Sequence, residues 1–517
     1  MEAWLILTLT ISLILLLKPL FSFLFSTRPH LPPGPTSLPI LGNLLWLKNS
    51  LSDIEHILHN LKLSYGPIIT LKVGSRTAIF INSHSLAHTA LVENGAVFSD
   101  RPHPPPTTKF LSCDQHNITS AGYGATWRLF RRNLSSEILH PSRVKAFSHA
   151  REWVLNVLLH RLSGGGVEGN VGVIVVDHFQ FAMFGLLVLM CFGDKLEEKE
   201  IKEIERVQRG LLLSLRRFSV LNFWPKLGKV LFYRRWLELK ELRRNQENVL
   251  IPLIKSRLEN LQSGFDQEEF VTAYVDTLLK LKLPEEGDRK LSFKEIVSLC
   301  GEFLNAGTDT TTTALQWIMA NLVKHPEIQE KIYDEIVRVK GNCPGLGGQG
   351  KMAVVEEEDL QQMPYLKGVV LEALRVHPPG HFVLAHSVTK EVELDGYVMP
   401  KDASINFMVA EMGRDPKVWD DPMEFKPERF LTKDGDLDGF DITGSRGIKM
   451  MPFGAGRRIC PGLNLALLHL EYYVANLVWY FEWKAPNGVP VDLSEKPEFT
   501  VVMKNPLIAH ISPRPNM

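Results

Sequence analysis

A long helical segment near the middle of the chain limits the possible folds more than any other feature. Ser292-Phe293-Lys294-Glu295 matches a capping box, in which serine and glutamate side chains satisfy free backbone N–H groups at a helix start. Apolar residues at helical spacing then continue to Lys324, where His325-Pro326 follows. A helix over 293–324 would be about 48 Å long at roughly 1.5 Å per residue. We therefore expect one helix that crosses a whole domain.

Elsewhere the pattern indicates a mainly α-helical chain with a minor β component. Further apolar patterns at helical spacing cover 143–162, 200–215 and 237–261. Short runs typical of strands cover 68–72, 78–81, 391–394 and 404–408. Asp395-Gly396, directly after the third of these runs, is a hairpin-turn signal.

The composition is that of a folded globular protein without a polyanionic partner. Hydrophobic residues make up 45% and charged residues 22% of the chain, far from the signature of disorder. Lysine plus arginine equals aspartate plus glutamate at 58 each, so the bulk charge gives no indication of nucleic-acid binding. The five cysteines, at 113, 191, 300, 343 and 460, match neither a disulfide scaffold nor a zinc site. Their spacing points to a reducing compartment.

The N-terminal segment predicts a membrane anchor. Ala3 to Phe25 is 23 residues long and almost entirely apolar, and a spanning helix needs about 20 residues. It lacks the positive n-region and the cleavage site of a signal peptide. A signal peptide and a buried helix are the two competing interpretations. Arg28 and Lys48 follow it, so the positive-inside rule places the bulk of the protein on the cytoplasmic side. We predict an anchor over 1–27, a stiff proline-rich linker over 28–50 and one domain over 51–517.

The stretch Phe453-Gly-Ala-Gly-Arg-Arg-Ile-Cys-Pro-Gly462 indicates the chemistry. The proline after Cys460 suits a first helical position, which would put Cys460 at a helix N-terminus, where the dipole favours a thiolate. Gly454 and Gly456 would let the backbone lie against a flat ligand, and Arg458 would supply a cation for a carboxylate. A thiolate beside a large planar acid describes axial ligation of haem iron. The alternative is a buried structural cysteine beside a capped helix.

The pattern Phe-x-x-Gly-x-Arg-x-Cys-x-Gly, beginning at Phe453, resembles the haem-binding signature of the cytochrome P450 monooxygenases. Glu372-x-x-Arg375 and the later Arg429 resemble the structural triad of that family, in the expected order. The resemblance extends from the N-terminal anchor to the end of the chain. In detail it is closest to plant microsomal members of subfamily A of plant family 89, through residues 116–147 and 192–195. It implies the cytochrome P450 haem-thiolate fold with an N-terminal transmembrane helix.

The resemblance also implies which residues bind the cofactor. Trp127-x-x-x-Arg131 and His386 match the positions of contacts to the haem propionates, and indole and guanidinium N–H groups are suitable donors to carboxylates. Cys460 matches the ligand of the iron. The implied cofactor-binding residues are therefore Trp127, Arg131, His386, Phe453, Arg458 and Cys460.

Asp309 and Thr310 lie midway along the long predicted helix. Gly307 and the four threonines 310–313 are poor interior helix formers, and hydroxyls can divert backbone hydrogen bonds, so we expect the helix to open locally there. By resemblance, Asp309 and Thr310 are the catalytic pair that relays protons to dioxygen. A merely polar helix face is the alternative.

The implied function is insertion of one oxygen atom of O2 into a small hydrophobic substrate. The implied cofactor is haem b. No credible flavin or nicotinamide fingerprint exists in the chain, so the resemblance implies electrons from NADPH through NADPH-cytochrome P450 reductase. Arg128, Arg132, Lys449 and Arg457 are candidate docking residues, with ordinary solvated charges as the alternative. The implied location is the endoplasmic reticulum membrane, single-pass, with a cytoplasmic catalytic domain and no nucleic-acid partner.

Substrate choice stays open at this level. By their positions in the family, the residues expected to line the pocket are the loop 102–122, Phe303, Leu304, Phe382, Val383 and 499–503. Apolar walls would suit terpenoids, fatty acyl chains, phenolics or tetrapyrrole breakdown products. Two other classes remain: an oxygen-independent haem-thiolate isomerase or dehydratase, which the Asp309-Thr310 pair argues against, and a non-catalytic membrane scaffold, which would not need the thiolate.

Overall fold

The structure is a computed structural model of the chain. It describes residues 30–36, 51–73, 76–164, 172–193, 196–223, 228–262, 271–343, 345, 353–401, 403–486 and 489–514. The predicted anchor, 1–27, lies outside these residues, and so does most of the predicted linker.

Helices form most of the described chain, as predicted. The α-helices are α1 Leu51–Tyr65, α2 His84–His88, α3 Pro106–Leu111, α4 Ala125–Glu137, α5 Pro141–Ala146, α6 Ser148–Gly164, α7 Val175–Phe192, α8 Glu198–Ser214, α9 Val220–Phe223, α10 Gly228–Leu231, α11 Tyr233–Gln262, α12 Tyr274–Lys280, α13 Phe293–Lys324, α14 Pro326–Lys340, α15 Pro364–Val376, α16 Val409–Gly413 and α17 Leu463–Tyr480. A π-helical turn covers Thr89–Glu93, and short 3₁₀ turns cover Leu215–Phe218, Pro284–Glu286, Asp359–Gln362, Pro427–Phe430 and Gly456–Arg458.

The strands form small separate sheets. They are β1 Ile68–Val73, β2 Arg76–Ile81, β3 Val173–Ile174, β4 Lys282–Leu283, β5 Arg289–Lys290, β6 Val392–Leu394, β7 Tyr397–Met399, β8 Ser404–Phe407, β9 Phe481–Lys484, β10 Glu495–Pro497, β11 Val501–Met503 and β12 Ile508–Pro513. One three-stranded sheet has the order β1-β2-β8, antiparallel and then parallel, and another has the order β3-β12-β9. The pairs β4-β5, β6-β7 and β10-β11 are antiparallel ribbons.

The predicted long helix is α13, and the core is built around it. It begins at the capping box, where the Ser292 hydroxyl accepts from the Glu295 N–H and the Glu295 carboxylate accepts from the Ser292 N–H. It packs against α7, α8, α11, α12, α14, α15 and α17. The expected local opening near Thr310 is absent, because the helix continues unbroken through its 32 residues. Burial on several sides outweighs the low intrinsic propensity of glycine and threonine.

Other predicted elements differ from the structure mainly at their ends. The pattern over 143–162 is split at Phe147 into α5 and α6. Asp395 and Gly396 both have positive φ, +55° and +76°, and join β6 to β7 as the hairpin turn that the sequence predicted. The helix after the cysteine begins at Leu463, with Gly462 as its N-cap. The prediction that Pro461 opens this helix was therefore wrong, because Pro461 lies in a turn before it.

The predicted triad is a buried ion-pair cluster. Two Arg375 nitrogens lie 2.7 and 2.8 Å from the two carboxylate oxygens of Glu372, and Arg429 Nε lies 3.3 Å from Glu372 Oε1. Glu372 and Arg375 are almost completely buried. Separating the members of a buried ion pair leaves an uncompensated charge and is therefore costly. This cluster thus fixes α15 against the segment that carries Arg429.

Part of the predicted linker belongs to the folded domain. Within residues 30–36, the His30 carbonyl accepts from the Val398 N–H and the Pro33 carbonyl accepts from the Thr70 N–H, each at 2.8 Å. The His30 ring also stacks on Tyr397. These contacts attach the start of the described chain to β1 and to β7.

One described helix is long and apolar enough to cross a membrane. It is α7, and 83% of its residues are buried inside the protein. Its length and composition are those of a core helix that packs on α13.

The cysteine loop is held by direct contact between two stretches of backbone. Gly456 has φ +69°, and a Cβ at this position would overlap the carbonyl oxygen of Leu91 in the π-helical turn. Gly454 is also left-handed, at φ +70°, with only Val383 near its Cβ position. The sequence pattern indicated that Gly456 allows close approach to a flat ligand. The structure gives a different reason for a residue without a side chain there, which is contact with the protein backbone.

Gly456→Ala should therefore strongly destabilise the protein, since it adds a steric overlap to the cost of a left-handed alanine. We expect a loss of about 3 kcal/mol or more in the free energy of unfolding, measured by urea titration. Gly435→Ala is the matched control, because Gly435 has φ +89° and open space at its Cβ position; we expect a loss of about 1 kcal/mol there. Equal losses in the two variants would contradict the proposed contact.

Candidate active site

Cys460 lies at the end of the loop that begins at Phe453, just before α17. The Cys460 N–H donates to the Phe453 carbonyl at 2.9 Å and closes the loop. Burial raises the pKa of the Cys460 thiol, against the opposing effects of the Gly462 N–H and the Arg131 charge.

Helix α4 carries two predicted cofactor residues on one face. Trp127 and Arg131 are one turn apart, and Trp127 is 6% exposed. The buried Nε1 of Trp127 has no hydrogen-bond partner among the described residues. A buried indole N–H without an acceptor is costly, so this donor is directed at a group that is not part of the described chain. The Arg458 guanidinium lies 4.3 Å from the centre of the Trp127 ring.

Arg458 is surrounded by carbonyls and by another arginine. Its guanidinium donates to the carbonyls of Ser99 at 2.8 Å, Ile118 at 3.2 Å and Ala121 at 2.7 Å. Burial, together with the nearby positive charge of Arg101, lowers the pKa of Arg458 to about 9.

Arg101 is a residue of this cluster that the sequence analysis missed. Its guanidinium donates to the carbonyls of Thr119, Leu384 and Ala385. Burial lowers its pKa to about 10, although Glu302 and Asp100 act in the opposite direction. No sequence signal pointed to it, since an arginine beside an aspartate in an irregular segment resembles a solvated pair.

His386 is buried between the same groups. Its Nδ1 lies 2.6 Å from the Phe98 carbonyl, so Nδ1 carries the proton and donates. Burial, with Arg101 and Arg458 nearby, lowers the pKa of His386 to about 3, and the ring is neutral at pH 7. A neutral ring with its proton on Nδ1 has only an acceptor at Nε2. His386 can therefore donate to a carboxylate through Nε2 only when that carboxylate raises the pKa enough to protonate the ring.

These residues fit a large ligand that carries negative charge. The cluster combines crowded cations, an orphan indole donor and one thiol. Two like charges held close together in a buried site call for an anion between them or beside them. No group of three or more His, Cys, Asp or Glu side chains that could hold a metal ion occurs in the described ranges. An iron bound by Cys460 must therefore bring its other ligands, as a porphyrin with propionates does.

Helix α13 presents a different set of groups to the other side of the site. Ala306 is exposed although most of the helix is buried, and Glu302 and Thr310 lie one turn before and after it on the same face. The Thr310 hydroxyl donates to the Ala306 carbonyl at 2.6 Å. Because Ala306 is exposed on a mostly buried helix, this face is the candidate substrate side.

Asp309 points away from that face. Arg209 Nε lies 3.4 Å from Asp309 Oδ1, and burial raises the pKa of Asp309 against the effect of Arg209. Adjacent helical residues are about 100° apart, so the Asp309 carboxylate and the Thr310 hydroxyl lie on different sides of α13. The structure therefore does not bring the predicted catalytic pair into direct contact.

Two expected pocket residues are core residues instead. The Phe303 ring packs 5.1 Å from the Tyr274 ring of α12, and Leu304 is completely buried. Glu302 replaces them at the open face and was missed, because a lone glutamate in a helix gives no signal of burial. The hairpin that joins β10 to β11 is attached to α13, since the Thr500 and Thr313 hydroxyls are 2.8 Å apart and Trp317 Nε1 donates to the Val501 carbonyl at 2.9 Å.

Comparison with known proteins agrees with this geometry. The cytochrome P450 family model matches residues 32–511. The chain is 52% identical to cytochrome P450 89A9 of Arabidopsis thaliana over 95% of both chains. It is 31% identical to geraniol 8-hydroxylase of Catharanthus roseus over 97% of both chains. It is 31% identical to flavonoid 3'-monooxygenase of A. thaliana over 95% of this chain and 93% of that one.

The family match covers both the cysteine loop and α13, and two of these relatives are named as a hydroxylase and a monooxygenase. The family implies a haem-iron cofactor, O2, a redox partner and a substrate. This chain therefore belongs to the cytochrome P450 family, and it is an oxidoreductase.

Proposed function

We propose that the protein is a haem-thiolate monooxygenase that acts on a small hydrophobic substrate. The substrate R–H, O2, two electrons and two protons give R–OH and water, so one oxygen atom enters the substrate and the other is reduced. The electrons come from NADPH. The observation that carries the proposal is the position of Cys460 at the end of a closed loop, together with the buried Trp127 Nε1, which has no hydrogen-bond partner among the described residues.

Haem b, when bound, supplies the activation of O2. Cys460 is the proposed ligand of its iron, and Phe453 shapes the loop by accepting the Cys460 N–H. Trp127, Arg131 and Arg458 are the proposed donors to the propionates. His386, with Arg101 beside it, completes this anion-binding side once its ring is protonated.

Proton supply is the proposed task of Asp309 and Thr310. The Asp309 carboxylate has a raised pKa because of burial, which brings it closer to the range in which a general acid can both take and release a proton. Thr310 carries a hydroxyl on the open face of α13. Since the two side chains point to different sides of the helix, we propose that water carries the proton from one to the other.

An external flavoprotein, NADPH-cytochrome P450 reductase, is the proposed electron donor. Arg128, Arg132, Lys449 and Arg457 are all exposed. Arg128 and Arg457 both lie 5.6 Å from the ring centre of Tyr123, so two cations meet at one surface point. Such a patch favours an acidic partner.

The chain is proposed to be anchored in the endoplasmic reticulum membrane by residues 1–27, single-pass, with the domain 51–517 on the cytoplasmic side. The apolar length of the N-terminal segment supports this proposal.

Cys460→Ser should abolish the thiolate signature of the haem. In the reduced, CO-bound wild-type protein we expect the red-shifted Soret band of a thiolate complex, and we expect none in the variant. Cys113→Ser is the control, because Cys113 is another free, partly exposed cysteine. A red-shifted band that survives in Cys460→Ser would overturn the ligand assignment.

Thr310→Ala should uncouple NADPH oxidation from product formation. A general acid–base relay contributes about 10²- to 10⁴-fold, so reducing power should pass to hydrogen peroxide while CO binding is preserved. The measurement is product formed per NADPH oxidised, with peroxide released. Thr310→Ser keeps the hydroxyl and should restore the wild-type ratio. An unchanged ratio in Thr310→Ala contradicts the relay, and product formed without O2 or reductase supports an isomerase.

Deletion of residues 1–27 should release the protein from membranes without loss of haem. Cell fractionation measures the attachment, and the CO spectrum measures the haem. The full-length protein should resist washing with salt, and its release by salt alone would contradict the anchor.

A further inference from the structure

A carboxylate on α13 holds the backbone of the loop that follows α3. Glu302 Oε2 accepts from the Ile118 N–H at 2.9 Å, and Glu302 Oε1 accepts from the Thr119 N–H at 2.6 Å. Each oxygen therefore binds its own donor. Burial raises the pKa of Glu302, while these two hydrogen bonds and the charge of Arg101 act in the opposite direction.

The carbonyls of the same short segment are held from the other side by two cations. Arg458 donates to the carbonyls of Ile118 and Ala121, and Arg101 donates to the carbonyl of Thr119. Residues 118–121 are thus fixed between the Glu302 side chain on α13 and the arginines of the proposed propionate side. Loops of such irregular shape need their polar backbone groups satisfied by some partner.

The loop just before this segment is strained. Cys113, Asp114 and Gln115 have φ values of +48°, +63° and +70°. Three successive left-handed non-glycine residues cost free energy and persist only when other contacts hold them. Such a turn relaxes when those contacts are removed.

Further contacts to the loop come from the start of α13 and from its neighbours. The Ser298 hydroxyl donates to the Leu111 carbonyl at 2.8 Å. His116 Nε2 lies 2.7 Å from Glu286 and its Nδ1 lies 3.7 Å from Glu295. Glu295, Ser298 and Glu302 follow one another at helical spacing, so one side of α13 faces the loop over two turns.

We propose that Glu302 is a positioning residue whose carboxylate keeps the loop 111–122 closed over the open face of α13 and so limits the size of ligand that enters. The proposal rests on the proposed function only in taking the space beside Ala306 as the substrate pocket. Glu302 does not itself react. Its two oxygens define the position of the loop, and the loop forms a wall.

The geometry makes Glu302→Gln a disruptive change. A glutamine amide has one acceptor oxygen and one NH2 group, so one of the two backbone N–H donors would meet another donor. The matched control is Glu335→Gln. Glu335 is buried and, like Glu302, accepts from two backbone N–H groups, those of Tyr365 and Leu366, each at 2.9 Å. It performs the same task on the connection between α14 and α15.

The first test is hydrogen exchange of the resting holoenzyme followed by mass spectrometry. In Glu302→Gln we expect peptides from 111–122 to exchange at least tenfold faster, while peptides from 364–370 keep their wild-type rates. In Glu335→Gln we expect the reverse. Unchanged exchange in 111–122 of Glu302→Gln would overturn the proposal. If the variant fails to bind haem, the test is made on the wild-type protein. We then expect the Ile118 and Thr119 amides to exchange as slowly as those of α13, and rapid exchange of these amides would overturn the proposal.

The second test measures ligand entry with two azoles of different size that bind haem iron. We expect imidazole to bind wild type and Glu302→Gln within twofold of each other, and the bulky clotrimazole to associate at least threefold faster with the variant. Equal clotrimazole rates would overturn the role in limiting size. Neither test needs turnover, so a faster-exchanging loop in a protein without monooxygenase activity would support this proposal and contradict the proposed function.

Discussion

A helix of 32 residues that is buried along most of its length needs partners on every side. The chain supplies different partners around α13. Apolar helices such as α7 pack against one side, and the Arg209 charge meets Asp309 on another. The face with Ala306 is left open, and its two ends are bounded by the loop held at Glu302 and by the hairpin held at Thr313. Asp309 and the face that carries Glu302, Ala306 and Thr310 therefore lie on different sides of the same helix.

The proposed cofactor side contains two arginines that lie close together. Burial and the positive charge of Arg101 lower the pKa of Arg458, and both guanidinium groups donate to uncharged carbonyls. The Trp127 indole adds a buried donor without an acceptor among the described residues. Such an arrangement costs stability in the protein alone, and a bound anion would offset that cost.

Local signals in the sequence predicted the elements that local physics determines. The capping box at Ser292 and the turn at Asp395-Gly396 needed only neighbouring residues, and both are present. The triad of Glu372, Arg375 and Arg429 was found through a family resemblance, since its last member is distant in sequence. The family and the enzyme class followed from the cysteine motif in the same way.

What the sequence did not reveal depends on contacts between distant segments. Arg101 and Glu302 gain their roles from backbone groups that lie far away in the chain, and neither belongs to a pattern. Helix α13 continues unbroken through its threonines because it is packed on several sides. Intrinsic helix propensities do not include such packing. The start of α17 at Leu463 was missed because proline is equally suited to a turn and to a first helical position.

The attachment of residues 30–36 to two sheets has a mechanical consequence. Chain tension that arrives at the N-terminus reaches the Val398–His30 and Thr70–Pro33 hydrogen bonds before it reaches any other described element. The load is then shared between β1 and β7, which belong to different sheets. A pull on the N-terminal end of the described chain is thus resisted first by two strands and not by the helix that carries Thr310.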